Sequence, residues 1–244
     1  MPNKGDHAMR SGICKAGVLI AISALLVGSG CATSGRRVAL KEFRPCVPKD
    51  PRSSLQGKTV HVAKFVYARD AAVVKTAPKP QKPAGYEYLK FTKDEQKKWD
   101  GEVAALSGSF VKSDAVKVGV VRNGYGMVMS GVFILNDPGE WMTKSLEMEV
   151  LNQGGRLAPD PKSADVAVSG DITWLAIDMY MKYWADLIVN VKVAAKGKTA
   201  ENTFHTYGQQ TAWSSSSFEF YGPIRQCLQQ QMYLIMQSIE NAAK

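Results

Sequence analysis

Val166-Ala167-Val168-Ser169-Gly170-Asp171-Ile172-Thr173-Trp174, followed by Leu187-Ile188-Val189-Asn190-Val191-Lys192-Val193, decides the fold. In the first run Val166, Val168, Ile172 and Trp174 alternate with Asp171 and Thr173. In the second, Leu187, Val189, Val191 and Val193 alternate with Asn190 and Lys192. Successive side chains on a strand point to opposite faces, so each run predicts a strand with one dry and one wet face. Lys196-Gly197-Lys198 predicts a tight turn into a weaker strand over 199–213. Upstream, Thr59–Val66 and Lys117–Arg122 are further β-rich runs. Asn123-Gly124 lies between Arg122 and the β-formers of 127–135, and predicts a hairpin turn with positive φ at both central residues.

Helices flank these strands. Asp137-Pro138-Gly139-Glu140 places a cap, a Pro at the first helical position and an acid in the first turn, and Gly154-Gly155 stops the helix. Trp141, Met142, Leu146 and Val150 supply its inward face, with Ser145 beside them. A closing helix starts near Pro223, where Ile224, Leu228, Met232, Ile235 and Ile239 recur every three or four residues. Between the first and second strands lies an insertion, 71–114. Its Pro- and Lys-rich part, 75–85, predicts a solvated extended loop. Thr92-Lys93-Asp94-Glu95 has capping-box spacing and predicts a short helix over 94–106, with Trp99, Val103 and Leu106 on its apolar stripe. The expected fold is α+β. It is a two-layer sandwich: a mostly antiparallel sheet with the two main helices on one face, the other face partly covered by the insertion or left for a partner.

The chain begins differently. Arg10 and Lys15 precede the apolar run Val18–Val27, which ends in Gly28-Ser29-Gly30-Cys31. A charged start, a short apolar run and small residues before a cut are the parts of a secretory leader. The run is too short to span a bilayer. Small residues directly before Cys31 resemble the bacterial lipobox, although Gly28 stands where that pattern prefers Leu. The resemblance implies lipidation at Cys31 and several acyl chains on the mature end, enough for stable anchoring. Ordinary secretion with a free thiol is the alternative. Residues 1–30 are thus expected to be signal peptide, 31–57 a flexible tether, and 58–244 the α+β domain. Met9 offers a second start. The 26 residues after Cys31, 32–57, would reach about 85 Å fully extended.

The net charge is +9, but most of it precedes the domain. Arg36, Arg37, Lys41, Arg44, Lys49 and Arg52 face only Glu42 and Asp50 in the tether, and +3 remains from Lys58 onward. Nucleic-acid binding wants a basic face on the domain itself, so no nucleic-acid partner is expected. Cys14 falls in the leader. Cys46 and Cys227 are either a disulfide or two free thiols; spacing does not choose between them.

No catalytic constellation is present in the sequence. His61 and His205 lack the spacing of a zinc site. Gly-x-Ser-x-Gly does not occur, Ser107-Gly108-Ser109 follows no strand, and Glu147 and Glu149 point to different sides of a helix. The reading expects no enzyme, no catalytic residue, no metal and no cofactor, and it leaves any ligand-binding residues unassigned. Trp174, Tyr180, Tyr183 and Trp184 gather near the first hairpin's connection. They either pack a hairpin end or contact a membrane or partner.

Val121-Arg122-Asn123-Gly124-Tyr125-Gly126-Met127, with Asp137-Pro138 and Glu140-Trp141 opening a helix, resembles the YajG-like family of bacterial lipoproteins. So does Ser169-Gly170-Asp171-Ile172 with the hairpin turning at Gly197 and a closing helix. The likeness spans 58–70 and 116–244; the insertion is longer than that pattern. It implies an outer-membrane lipoprotein facing the periplasm, and no catalytic residue carries over. Ala32 rather than Asp after Cys31 agrees with outer-membrane sorting. The expected function is a non-enzymatic accessory or interaction module with an envelope protein partner. A periplasmic small-ligand or lipid-binding protein comes next, and a cell-wall hydrolase last.

Overall fold

Strand β7, Val166–Tyr180, is the axis on which the other elements assemble. The computed structural model describes residues 35–42, 47, 50, 53–83, 86, 92–108, 115–211 and 217–244. In chain order these hold β1 (Arg36–Val38), β2 (Thr59–Val62), β3 (Val66–Tyr67), α1 (Val73–Thr76), α2 (Lys93–Gly108), β4 (Val116–Arg122) and β5 (Val128–Ile134). Then come α3 (Pro138–Asn152), β6 (Arg156–Leu157), β7, β8 (Lys182–Ala195), β9 (Lys198–Thr211) and α4 (Tyr221–Ala243). The fold is α+β, as the sequence predicts.

One edge of β7 pairs antiparallel with β8 along its whole length, and β8 pairs likewise with β9. The other edge is shared in turn by β2, β3 and β4, all parallel to it. The long ladders are therefore antiparallel, and the parallel ones are short. A bulge explains how β7 serves so many partners. Its register passes from Ile172↔Val189 to Trp174↔Ile188, leaving Thr173 unpaired. An extra residue reverses the phase of every side chain after it. Val166, Val168 and Ile172 face the helices before the bulge; Leu175 and Ile177 do so after it. Trp174, Ala176 and Asp178 turn to the opposite face, where they line a groove.

The hairpin turns follow from φ. Lys196 (φ 51°) and Gly197 (φ 73°) form a two-residue turn with both φ positive, matching the twist of β8 and β9. The β4–β5 turn differs from the expected one. Positive φ falls on Gly126 (83°), and the Gly126 N–H donates to the Asn123 carbonyl (2.9 Å). The Asn123 Oδ1 accepts from the N–H groups of Tyr125 and Met127, each at 3.0 Å. The Asn side chain thus organises a longer loop that Gly126 closes, so Gly124 needs no positive φ.

α4 lies on β8 and β9. It buries Ile224, Leu228, Met232, Ile235 and Ile239 as expected. Close approach is possible because β9 offers Gly208 there: a Cβ would stand 2.2 Å from the Pro223 carbonyl oxygen. α3 packs beside α4 on the same face. Asp137 caps it by accepting from the Gly139 N–H (2.8 Å), and Trp141, Met142, Leu146 and Val150 are buried.

Two expectations change. The described residues of the stretch read as a tether, Gly35–Glu42 above all, are part of the folded body. β1 pairs parallel with β5, Arg36 opposite Val132, and Val38, Ala39 and Leu40 are buried. The Leu40 N–H donates to Asn136 Oδ1 (2.7 Å), and Asn136 Nδ2 donates back to the Leu40 carbonyl (2.7 Å). Arg36–Val38 are too few to show a periodicity, yet they pair with an otherwise open sheet edge. The boundary placed at 58 therefore moves. The Pro- and Lys-rich part of the insertion is extended and mostly exposed, as expected, but it is also tied down. Pro78 and Gln81 bond His205 on β9, while the Tyr86 hydroxyl bonds Gln229 of α4 (3.0 Å) and its ring meets Tyr233 edge-on. The strap passes around the free edge of β9 and blunts it. α2 then docks Trp99 edge-on to Tyr221 (4.9 Å) and carries the predicted capping box, Thr92 with Glu95.

Candidate functional site

The sheet face away from the helices gathers the polar and aromatic side chains that the core excludes. Asp178 stands opposite Trp184, Asp186 opposite Tyr207, and Ile188 opposite His205, so β7, β8 and β9 lay these groups side by side. Arg122 of β4 reaches Asp178 at 2.6 Å, and the other Asp178 oxygen accepts the Met179 N–H (2.7 Å). The Arg69 guanidinium sits over the Trp174 ring, 5.2 Å from its centroid, and donates to the Lys117 carbonyl (2.6 Å). Such a stack is worth about 1 kcal/mol when partly shielded from water. Between these groups and Trp184 lies an open groove of about 330 Å³.

Further along, Trp184 stacks on Tyr207 (centroids 6.3 Å, planes 26° apart). Next to them His205 lies between two acceptors. Its Nδ1 is 2.6 Å from the Pro78 carbonyl oxygen and its Nε2 2.6 Å from Asp186 Oδ1. Burial alone lowers the His205 pKa; the bonds to Asp186 and Pro78 and the Asp186 charge outweigh it, and the value is raised. Burial and the same Asp186 charge raise the Tyr207 hydroxyl. Beyond this pair a second open groove, about 580 Å³, runs past Lys64, Asp171, Lys192 and Glu201. In it Lys192 pairs with Glu201 (3.1 Å), and the Thr203 hydroxyl donates to Asn190 (2.8 Å).

The residues singled out by sequence are scattered. The leader, Cys31 and Cys46 lie outside the described residues. Cys227 is buried on α4 and its Sγ donates to the Ala185 carbonyl (3.1 Å); burial pushes this thiol well up. His61 bonds the Ala158 carbonyl (3.2 Å), far from His205 in the fold. Glu149 is buried and accepts the Val47 N–H (3.1 Å). Among the described residues no three His, Cys, Asp or Glu side chains converge as metal ligands, and no helix is long and apolar enough to cross a membrane. The four aromatics do not form one cluster. Trp174 and Trp184 line the outer face. Tyr183 is buried edge-on against Phe220 (4.7 Å), its pKa pushed up to about 12 by burial and a bond to Glu219. Tyr180 belongs to the end of the sheet.

No family model matches the chain, and no curated protein matches it. Among solved structures, a Xanthomonas campestris protein of the DUF330 family is similar at 14% identity and TM-score 0.48, over 83% of this chain and 94% of that one. An uncharacterized protein is similar at 9% identity and TM-score 0.44, over 84% and 99%. A minor lipoprotein from Acinetobacter baumannii is similar at 11% identity and TM-score 0.31, over 41% and 81%.

Sequence reading missed the Asp186–His205 and Arg122–Asp178 pairs. Their partners are 19 and 56 residues apart, and only strand register brings them together. A signal was present for the second: once the hairpin is extended past Trp174, Asp178 falls on an otherwise apolar strand. A buried acid there requires a cation.

Proposed function

We propose that this chain is a membrane-anchored lipoprotein of the bacterial envelope, facing the periplasm from the outer membrane, with a non-enzymatic interaction module as its folded body. The observation that carries the reading is the leader ending in Gly28-Ser29-Gly30-Cys31, which stops four residues before the folded body begins at Gly35. The outer face supports the second half of the reading. Two of its acids are held in structural pairs, Asp178 with Arg122 and Asp186 with His205, and so serve the fold. The grooves beside them are open and mixed in polarity. A lipid-binding protein would favour an enclosed apolar pocket, so a broad contact with an envelope protein fits better.

Two measurements test this. Intact-mass spectrometry of protein from membranes should show acyl chains on Cys31, and Cys31→Ser should lose that mass and leave the membrane fraction. Photo-crosslinkers at Glu201 and Lys192 in intact cells should capture a discrete envelope protein. An unacylated, freely soluble parent would refute the anchor; uniform failure to crosslink along the outer face would refute the module.

A further inference from the structure

At one end of the sheet the β4–β5 loop and the β7–β8 turn project together. Arg122 pairs with Val128 and Val121 with Met179, and a Cβ at Gly126 would lie 3.9 Å from the Tyr180 ring. The side chains gathered there are apolar and bare. Tyr125 is 91% exposed, Met181 68% and Val128 60%, and Met127, Met129 and Tyr180 are exposed with them. Val128 and Met129 are consecutive on β5, so both faces of the strand are open at this point, and Met127 precedes them in the loop. A protein docking on one face of a strand would leave the other face wet, whereas a lipid interface surrounds both. Tyr at such a level places its ring among the acyl chains and its hydroxyl among the head groups.

Chain direction and length name the surface. β1 is parallel to β5 with Arg36 opposite Val132, so β1 followed back to Gly35 points the way β5 does when followed back from Val132 toward Val128. Only Ala32, Thr33 and Ser34 separate Cys31 from Gly35. Four Cα steps span at most about 14 Å, and the four residues from Val132 to Val128 span about 13 Å. Charge agrees. Lys182 is exposed beside the turn, and the acid nearest the turn, Asp178, is neutralised by Arg122 at 2.6 Å.

We infer that the tip formed by Tyr125, Met127–Met129, Tyr180 and Met181 is a membrane-insertion element, seated in the anionic head-group layer of the bilayer that holds Cys31. This deepens the lipoprotein reading and rests on it. The lipid chains supply the affinity, and the tip fixes how the body stands.

The test uses the full lipidated protein, purified from membranes and reconstituted into vesicles of phosphatidylethanolamine and phosphatidylglycerol. An environment-sensitive fluorescent amino acid replaces Tyr125, Met181 or, at the far end of β7, Lys162. At 125 and 181 emission should shift to the blue, and vesicles with lipids brominated near the head group should quench it about twofold; at 162 neither should occur. Water-like emission at 125 and 181, in protein that still floats with vesicles, overturns the insertion while leaving the anchor intact. Failure to float, or absence of acyl mass, overturns the anchor instead. A blue shift that arises without vesicles and grows with protein concentration assigns the tip to a second copy of the chain, and also overturns the proposal.

Discussion

Raising the pH through the histidine range should loosen the strap on the outer face. Neither partner of His205 has a proton to give, since one is a carbonyl and the other a carboxylate. Both ring nitrogens must therefore donate, which only the imidazolium does. The folded pKa is raised, so the folded state holds this proton more tightly than the unfolded chain. The stabilisation is complete below the unfolded value of about 6.5 and is lost as pH rises through the folded value. Deprotonation turns one lone pair toward an acceptor. The His205 and Asp186 side chains are only 9% and 16% exposed, so solvent screens the loss weakly. Losing one charge-assisted hydrogen bond is worth about 1.5–3 kcal/mol. Urea unfolding between about pH 6 and pH 8.5 should show that fall, and the amide of Gln81, which donates to the His205 carbonyl (2.7 Å), should exchange faster as pH rises, beyond the intrinsic rate. The Cys227 thiol, pushed well up by burial, stays neutral across this window. In His205→Gln the pH dependence should vanish. A midpoint that does not move, or one that still moves in His205→Gln, refutes the reasoning.

Three further outcomes follow from packing. Gly119→Ala places a Cβ 1.7 Å from the Ile177 carbonyl oxygen, where β4 crosses β7, so it should cost about 3 kcal/mol or more; Gly124→Ala, in open space, should stay within about 0.5. Leu228→Ala, at a fully buried position under α4, should lower stability by about 2–5 kcal/mol in denaturant titration. Arg122→Leu strands the Asp178 carboxylate. Because the Arg122 side chain is 35% exposed, the loss should be discounted to about 2 kcal/mol, and Arg122→Leu with Asp178→Leu should recover part of it.

Much of the fold was legible because burial writes a period into the chain. α3 and α4 carry the predicted inward residues, and the capping box at Thr92 forms with its expected partner Glu95. Legibility ended where the period breaks. The β7 alternation stops at Trp174 because the bulge at Thr173 reverses its phase, and six more residues of strand lie beyond. β1 is three residues long and makes its sense only against β5. His205 looked isolated because its partners, Pro78 and Asp186, come from a strap and a neighbouring strand. The outer-face site is thus a product of register, which a linear reading does not contain.

The early start of the folded body alters more than a boundary. A leash of about 85 Å would let the body tumble and present any face to a partner. On the proposed anchor at Cys31, four residues would leave the body little freedom, and orientation would become part of the function. If the tip sits in the head-group layer as proposed, β7, whose 15 residues span about 48 Å, would rise from the membrane. Trp174 and Asp178 then lie near the lipid, while Lys192 and Glu201, toward the β8–β9 turn, lie farthest from it. Crosslinkers near the bulge should capture partners embedded in the membrane or resting on it. Crosslinkers at Glu201 should capture ones that extend into the periplasm. Identical partners from both positions, in identical proportion, would mean that the body turns freely and that the short leash does not orient it.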